Sequence, residues 1–116
     1  MQRKATKNTR GPSAEEKRFQ GWLKEQPCAI TGEIGVHVHH CVGSSYKHNK
    51  ELIGHWFCIP LSPRAHSEYH AGTKAWREKY GPQSLYWVEL LARCTDEINE
   101  ITCPYQVEAA ILDLGK

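Results

Sequence analysis

Long apolar runs, paired cysteines and the glutamate of a zinc-protease motif are all missing from this chain of 116 residues. No stretch approaches the roughly 18–20 apolar residues that a helix needs to cross a bilayer. The opening "MQRKATKNTRGPS" lacks the apolar core of a secretion signal, so the expected location is the cytoplasm, with no membrane partner. The five cysteines, Cys28, Cys41, Cys58, Cys94 and Cys103, are odd in number and contain no C-x-x-C pair. That spacing argues against a disulfide framework and leaves reduced thiols, a metal ligand or two, or core packing. H-E-x-x-H is excluded because Ser67 follows His66. No internal repeat and no low-complexity tract interrupts the chain.

Charge of one sign is also scarce, for the net value is only +2. It is unevenly spread. Residues 1–18 hold six basic and two acidic side chains, against nine and eleven in the remainder. A basic arm at 1–12, with Arg3, Lys4, Lys7 and Arg10, ahead of a near-neutral body suits contact with a polyanion. A solvated tail is the plainer account of such a run. Residues 13–116 are long enough for one domain with a modest core.

Local signals give that domain an order of elements. Ser13 and Glu16 form an S-x-x-E capping box behind Pro12, and Phe19, Trp22 and Leu23 make one apolar face of a helix that Pro27 stops. "VHVHH" at 36–40 reads as a strand, 43–54 as a polar loop, and "HWFCIPL" at 55–61 as a second strand antiparallel to the first. Ser62 and Pro63 start a helix that ends at Gly72. "TKAWREKY" follows, capped by Thr73 and closed by Gly81. A longer helix from Pro82 presents Leu85, Val88, Leu91 and Ala92, and a last one covers 104–114. Trp22 and Trp76 fall at core positions, and Trp56 suits packing of the hairpin. The fold class is α+β.

What the chain has in quantity is histidine, seven residues, five of them in "VHVHH" and "SPRAHSEYH". His66 and His70, four apart on a helix, share a face and can chelate one ion. A third ligand from the hairpin, His39 or His37, would leave open positions for water and substrate, the pattern of a catalytic site. Of His39 and His40, one can hold the metal while the other stays free as a general base.

The order "HVHH … HWFCIPLSPRAHSEYH" resembles the HNH (ββα-metal) nuclease motif, and "SPRAHSEYH" is similar to the helix of the colicin DNases. The wider stretch through "AWREKYGPQSL" resembles phage and prophage nucleases of the Ref (recombination-enhancement, RecA-dependent) family. The likeness covers roughly residues 27–95, with a motif core at 28–72. It implies a small ββα-metal core with an N-terminal helix and additional C-terminal helices. It also implies a metal-dependent DNA endonuclease acting in phage recombination, with a RecA filament as a partner. Carried across, His39, His66 and His70 would bind the cation and His40 would be the base. The middle asparagine of the motif falls by count on Phe57. Asn49 fits the spacing poorly and His55 is the nearer polar residue, so His55 is the candidate there. The paired cysteine knuckles of many relatives are reduced to Cys28, with Ser62 and Ala65 at positions where cysteines could stand, so a four-cysteine zinc is absent. Cys28, Cys41 and Cys58 remain as thiols for a mixed site or for packing.

An all-imidazole set favours zinc or another transition ion, with Mg or Mn available for turnover. DNA contacts are expected from the N-terminal arm, from Lys47 and Lys50 in the hairpin loop, and from Arg64, Lys74 and Arg77 around the helix. The competing expectation is a non-catalytic, zinc-stabilised nucleic-acid-binding module.

Overall fold

A computed structural model describes residues 11–98 and 101–115, so Arg3, Lys4, Lys7 and Arg10 of the basic arm lie outside the described residues. Helix α1 (Ala14–Lys24) begins as its sequence requires: Ser13 Oγ accepts from the Glu16 amide, and Glu16 Oε1 accepts from the Ser13 amide at 2.7 Å. Phe19, Trp22 and Leu23 are its buried face. Strand β1 (His37–His40) pairs antiparallel with β4 (Cys58–Leu61), His39 lying opposite Ile59 and His40 opposite Cys58. Helix α2 (Pro63–Ala71) follows directly, with the Ser62 hydroxyl accepting from the Ala65 amide. Helices α3 (Thr73–Tyr80), α4 (Gln83–Glu97) and α5 (Tyr105–Leu114) complete the chain. Among the described residues this is a small α+β domain of five helices and two two-stranded antiparallel sheets, and no helix is long and apolar enough to cross a membrane.

Four local expectations need correction. The segment 43–54 is not a plain loop: β2 (Lys47–His48) and β3 (Glu51–Leu52) form a second hairpin. Its two turn residues, Asn49 and Lys50, both take positive φ, 53° and 68°, as a type I′ turn demands. The absence of glycine there hid it. Second, the strand expected over 55–61 is ordered as β only from Cys58; the Cys58 amide turns back to the Trp56 carbonyl at 2.8 Å. Third, α3 is preceded by Gly72 at the N-cap, with Thr73 already helical and no side-chain cap. Fourth, the inward face of α4 is Ser84, Trp87, Leu90, Leu91 and Cys94, whereas Leu85 is 63 % exposed and Ala92 is exposed. Trp87 decides the rotation. It is fully buried, and its indole N–H donates to the Trp56 carbonyl at 2.7 Å, so the largest side chain takes the interior and Leu85 is turned outward.

Phe19, Trp56, Phe57, Ile59, Leu61, Trp76 and Trp87 anchor one core. It packs α1 and α4 against the β1–β4 ribbon and leaves α2 over one face of β1.

Candidate functional site

Side chains alternate along a strand, and β1 uses the alternation to separate its histidines. His37 and His39 face α2. His40 emerges on the opposite side, toward α1 and the loop before β4.

On the α2 side four imidazoles meet. His39 Nδ1 lies 3.2 Å from His66 Nε2, and His70 Nε2 lies 3.1 Å from the same atom. His37 approaches from behind, its Nδ1 3.1 Å from His66 Nδ1. Thus His39, His66 and His70 converge through one nitrogen each, while His37 contacts the far nitrogen of His66. Buried His39 is fixed from its other end by Gln83, whose Oε1 is 3.0 Å from His39 Nε2. An amide oxygen only accepts, so Nε2 of His39 carries the proton and Nδ1 presents its lone pair to His66. Tyr69 packs edge-on against the His39 ring at 4.5 Å between centroids. Burial, with the neighbouring His66, pulls the His39 pKa down to about 4. His66 is lowered in the same direction, by burial first and then by His70 and His37. These rings are held neutral, the form that donates a lone pair.

On the α1 side His40 Nε2 lies 3.0 Å from His55 Nδ1 and 3.3 Å from Gln20 Nε2. Burial, then the neighbouring His55, lowers the His40 pKa. The loop carrying His55 is fixed by the helix cap: Glu16 Oε2 accepts the His55 amide at 2.8 Å while Oε1 of the same carboxylate caps α1. Gly54 makes this approach possible. Its φ is +67°, and a Cβ there would sit 2.7 Å from Glu16 Oε2, so a side chain is excluded both by the backbone and by the carboxylate. A cavity of about 330 Å³ opens beside His55, lined also by Glu16, Ser44, Lys47 and Trp56.

The sequence marked His39, His40, His55, His66 and His70, and the structure brings them together in two groups, three on one side of β1 and two on the other. Gln83, Glu16 and Gln20 were missed. A lone amide or cap carboxylate carries no motif, although Gln83 stands just past the proline that opens α4. All five cysteines are buried. Cys28 lies ahead of β1. Burial would raise its thiol, but hydrogen bonds from Thr31, Ser62 and Ile30 outweigh this and bring it down to about 7. Burial pushes Cys58 up to about 12.

Of the expected phosphate contacts, Lys47 lines the His55 cavity. Lys74 and Arg77 line a second cleft that also includes Tyr69 and Gln83. Arg64 pairs with Glu33 at 3.3 Å on the surface. Lys50 is exposed in the β2–β3 turn. Among the described residues no group of three or more His, Cys, Asp or Glu side chains forms a ready-made metal cage; the convergence on His66 is of single nitrogens at hydrogen-bond separation.

The family described as "Protein of unknown function (DUF968)" matches residues 6–96 of this chain. The chain belongs to the DUF968 family. That span includes both histidine groups, Gln83 and the α1 cap. The chain is also similar to the Uncharacterized protein YdfU of Escherichia coli (strain K12), 32% identical over 81 residues. The aligned part is 70% of this chain and 22% of YdfU, so the DUF968 segment seen here spans under a quarter of that relative's length. No solved structure matches.

Proposed function

We propose that this chain is a metal-dependent endonuclease of the HNH (ββα-metal) kind, hydrolysing phosphodiester bonds of DNA with His40 as general base. One observation carries the reading: three imidazole nitrogens converge at His66 while the residue next to His39 holds a separate, hydrogen-bonded imidazole on the other side of the strand. A purely packed histidine cluster has no need of that second pair.

The donor set fits a divalent ion. Two nitrogens at about 2.0–2.1 Å from a tetrahedral zinc stand about 3.3–3.4 Å apart, close to the 3.1 and 3.2 Å seen at His66. With His39 Nε2–H committed to Gln83, His39 Nδ1 is bare; a bound cation would take His66 through Nε2, in the tautomer whose Nδ1–H faces His37. His39, His66 and His70 would hold the ion, with His37 and Gln83 orienting them from outside. When bound, such an ion offsets the negative charge that grows on the phosphate and the leaving oxygen. Imidazole ligation favours zinc or another transition ion for retention, and Mg or Mn are candidates for turnover.

The chain's own residues then act as follows. His40, held at its Nε2 by His55 and Gln20, takes a proton from water as the neutral imidazole while the water oxygen attacks phosphorus. The bond to the 3′ oxygen breaks, that oxygen takes a proton from solvent, and the products are a 5′-phosphate and a 3′-hydroxyl. His55 orients His40, in the place where the motif carries asparagine, and Glu16 fixes the His55 backbone. DNA is the substrate and a RecA filament the proposed partner for targeting, in phage recombination.

The test is nicking of supercoiled plasmid by metal-reconstituted protein, wild type against His40→Ala, with and without RecA-coated single strand, and with bound metal quantified. The expected result is a loss of about 10²–10⁴-fold in His40→Ala with metal retained. Wild type that keeps metal and DNA yet never cuts would instead select the non-catalytic zinc-stabilised nucleic-acid-binding module.

A further inference from the structure

The molecule has a second cleft that this chemistry does not use. It measures about 230 Å³ and lies between the end of α2, the α3 helix and the start of α4, lined by Tyr69, Thr73, Lys74, Trp76, Arg77 and Gln83. Two of these residues belong equally to the His39 surroundings: Tyr69 packs on the His39 ring and Gln83 accepts from it. The cleft therefore begins where the imidazole group ends.

Its polar character is one-sided. Lys74 and Arg77 bring two cations, Thr73 and Tyr69 bring hydroxyls, and no acidic side chain lines it. Lys74 has Glu78 3.8 Å away, but both are strongly exposed, and such a pair contributes little. Arg77 donates one nitrogen to the Gly115 carbonyl, which fixes the guanidinium without neutralising it. The wall holds a reporter. Trp76 is 2 % exposed, packs against Tyr69 and Tyr80, and its buried indole N–H has no hydrogen-bond partner among the described residues.

We infer that this cleft is a second anion site, which seats a backbone phosphodiester of the nucleic-acid strand beside the one being cleaved. Two cations with no carboxylate among the lining residues favour a negatively charged ligand, and the Thr73 and Tyr69 hydroxyls can donate to its oxygens; a phosphodiester is such a group. A nucleobase, being uncharged, would leave both cations unmatched. The inference rests on the nuclease reading for the identity of the strand, and on the cleft alone for the anion. Seating a neighbouring phosphate here would fix the strand's register against the His66 group without reading its sequence.

The experiment is a ¹H–¹⁵N titration of full-length, metal-free protein in chelator. It follows the Trp76 indole N–H, assigned by through-bond correlation to its own backbone. Two probes are added separately: inorganic phosphate, and the dinucleotide TpT, whose only phosphate is an internal diester. The expected result is a saturable downfield shift of the Trp76 indole signal with TpT. In Lys74→Gln, a substitution at an exposed position, the dissociation constant should rise about fivefold. An indole signal that stays still while other resonances move, or an unchanged constant in Lys74→Gln, would overturn the site. Saturation by inorganic phosphate with no response to TpT would overturn the assignment to a nucleic-acid strand. The titration needs neither metal nor cleavage. A silent Trp76 in a protein that nicks plasmid therefore removes this cleft alone, whereas a responsive Trp76 in a protein that never nicks supports the cleft and removes the nuclease.

Discussion

The two sides of strand β1 hold histidines in different ways. Toward α2, each ring is braced by another ring or by Gln83, and the contacts come from His39, His66 and His70 at one point. Toward α1, two rings form a single pair, with Gln20 beside His40, while the Glu16 carboxylate holds the His55 backbone amide and Gly54 lets it approach. The first arrangement fixes where lone pairs point. The second fixes where one ring stands and leaves it a free nitrogen. Binding an ion needs the former, and moving a proton needs the latter.

Substitutions can break this contrast on either side. The largest effect is expected from His66→Ala, which removes the nitrogen shared by His39 and His70; zinc affinity should fall by more than about 100-fold, measured by competition with a chromogenic chelator. His37→Ala, on the same side but touching only the far nitrogen, should retain the metal. Gln83→Leu keeps the volume but frees the His39 ring to turn, and should weaken zinc by about 10–100-fold without changing the His40–His55 pair. On the α1 side, Gly54→Ala should lower unfolding free energy by about 1–3 kcal/mol, read from urea midpoints, and should depress nicking while zinc stays bound. Loss of zinc in that variant would mean the two sides are not separable. The smallest effect belongs to Ser13→Ala, about 1 kcal/mol of stability from the lost cap. The Glu16 carboxylate keeps its bond from the Ser13 backbone amide there, so nicking should stay near wild type, and a clear fall in rate would tie the hold on His55 to the whole cap.

How much of this could be read from the residues depended on range. Ser13 with Glu16, and Ser62 with Pro63, are local signals whose partners lie within three residues, and both helices start where those signals fall. The β1–β4 pairing followed from two short β-branched segments, and the convergence of His39 with His66 and His70 followed from that pairing and the four-residue helical spacing. The turn at Asn49 and Lys50 was illegible because Asn49 alone, though prone to positive φ, marks no hairpin and Lys50 is not a usual carrier of it; the hairpin is held from outside, with Asp113 Oδ2 2.9 Å from His48 Nε2 and accepting from Asn49 Nδ2 at 3.0 Å. The rotation of α4 depended on a tryptophan finding a carbonyl 31 residues away. Gln83 and Gln20 act through contacts 44 and 20 residues apart in sequence, and no spacing rule reaches so far. The residues that brace the histidines were hidden for that reason, while the histidines themselves were plain.

The carboxylate of Glu16 also sets an order of assembly. His66 and His70 become neighbours as soon as one turn of α2 forms, since only four residues separate them. The His40–His55 pair waits for two distant closures, the strand pairing and the docking of the α1 cap onto a segment 39 residues downstream, each carrying the chain entropy of a long loop. On the proposed reading, a chain emerging from the ribosome or recovering from denaturant would have His66 and His70 side by side first, gain His39 only with the strand pairing, and complete the His40–His55 side last, when the α1 cap docks.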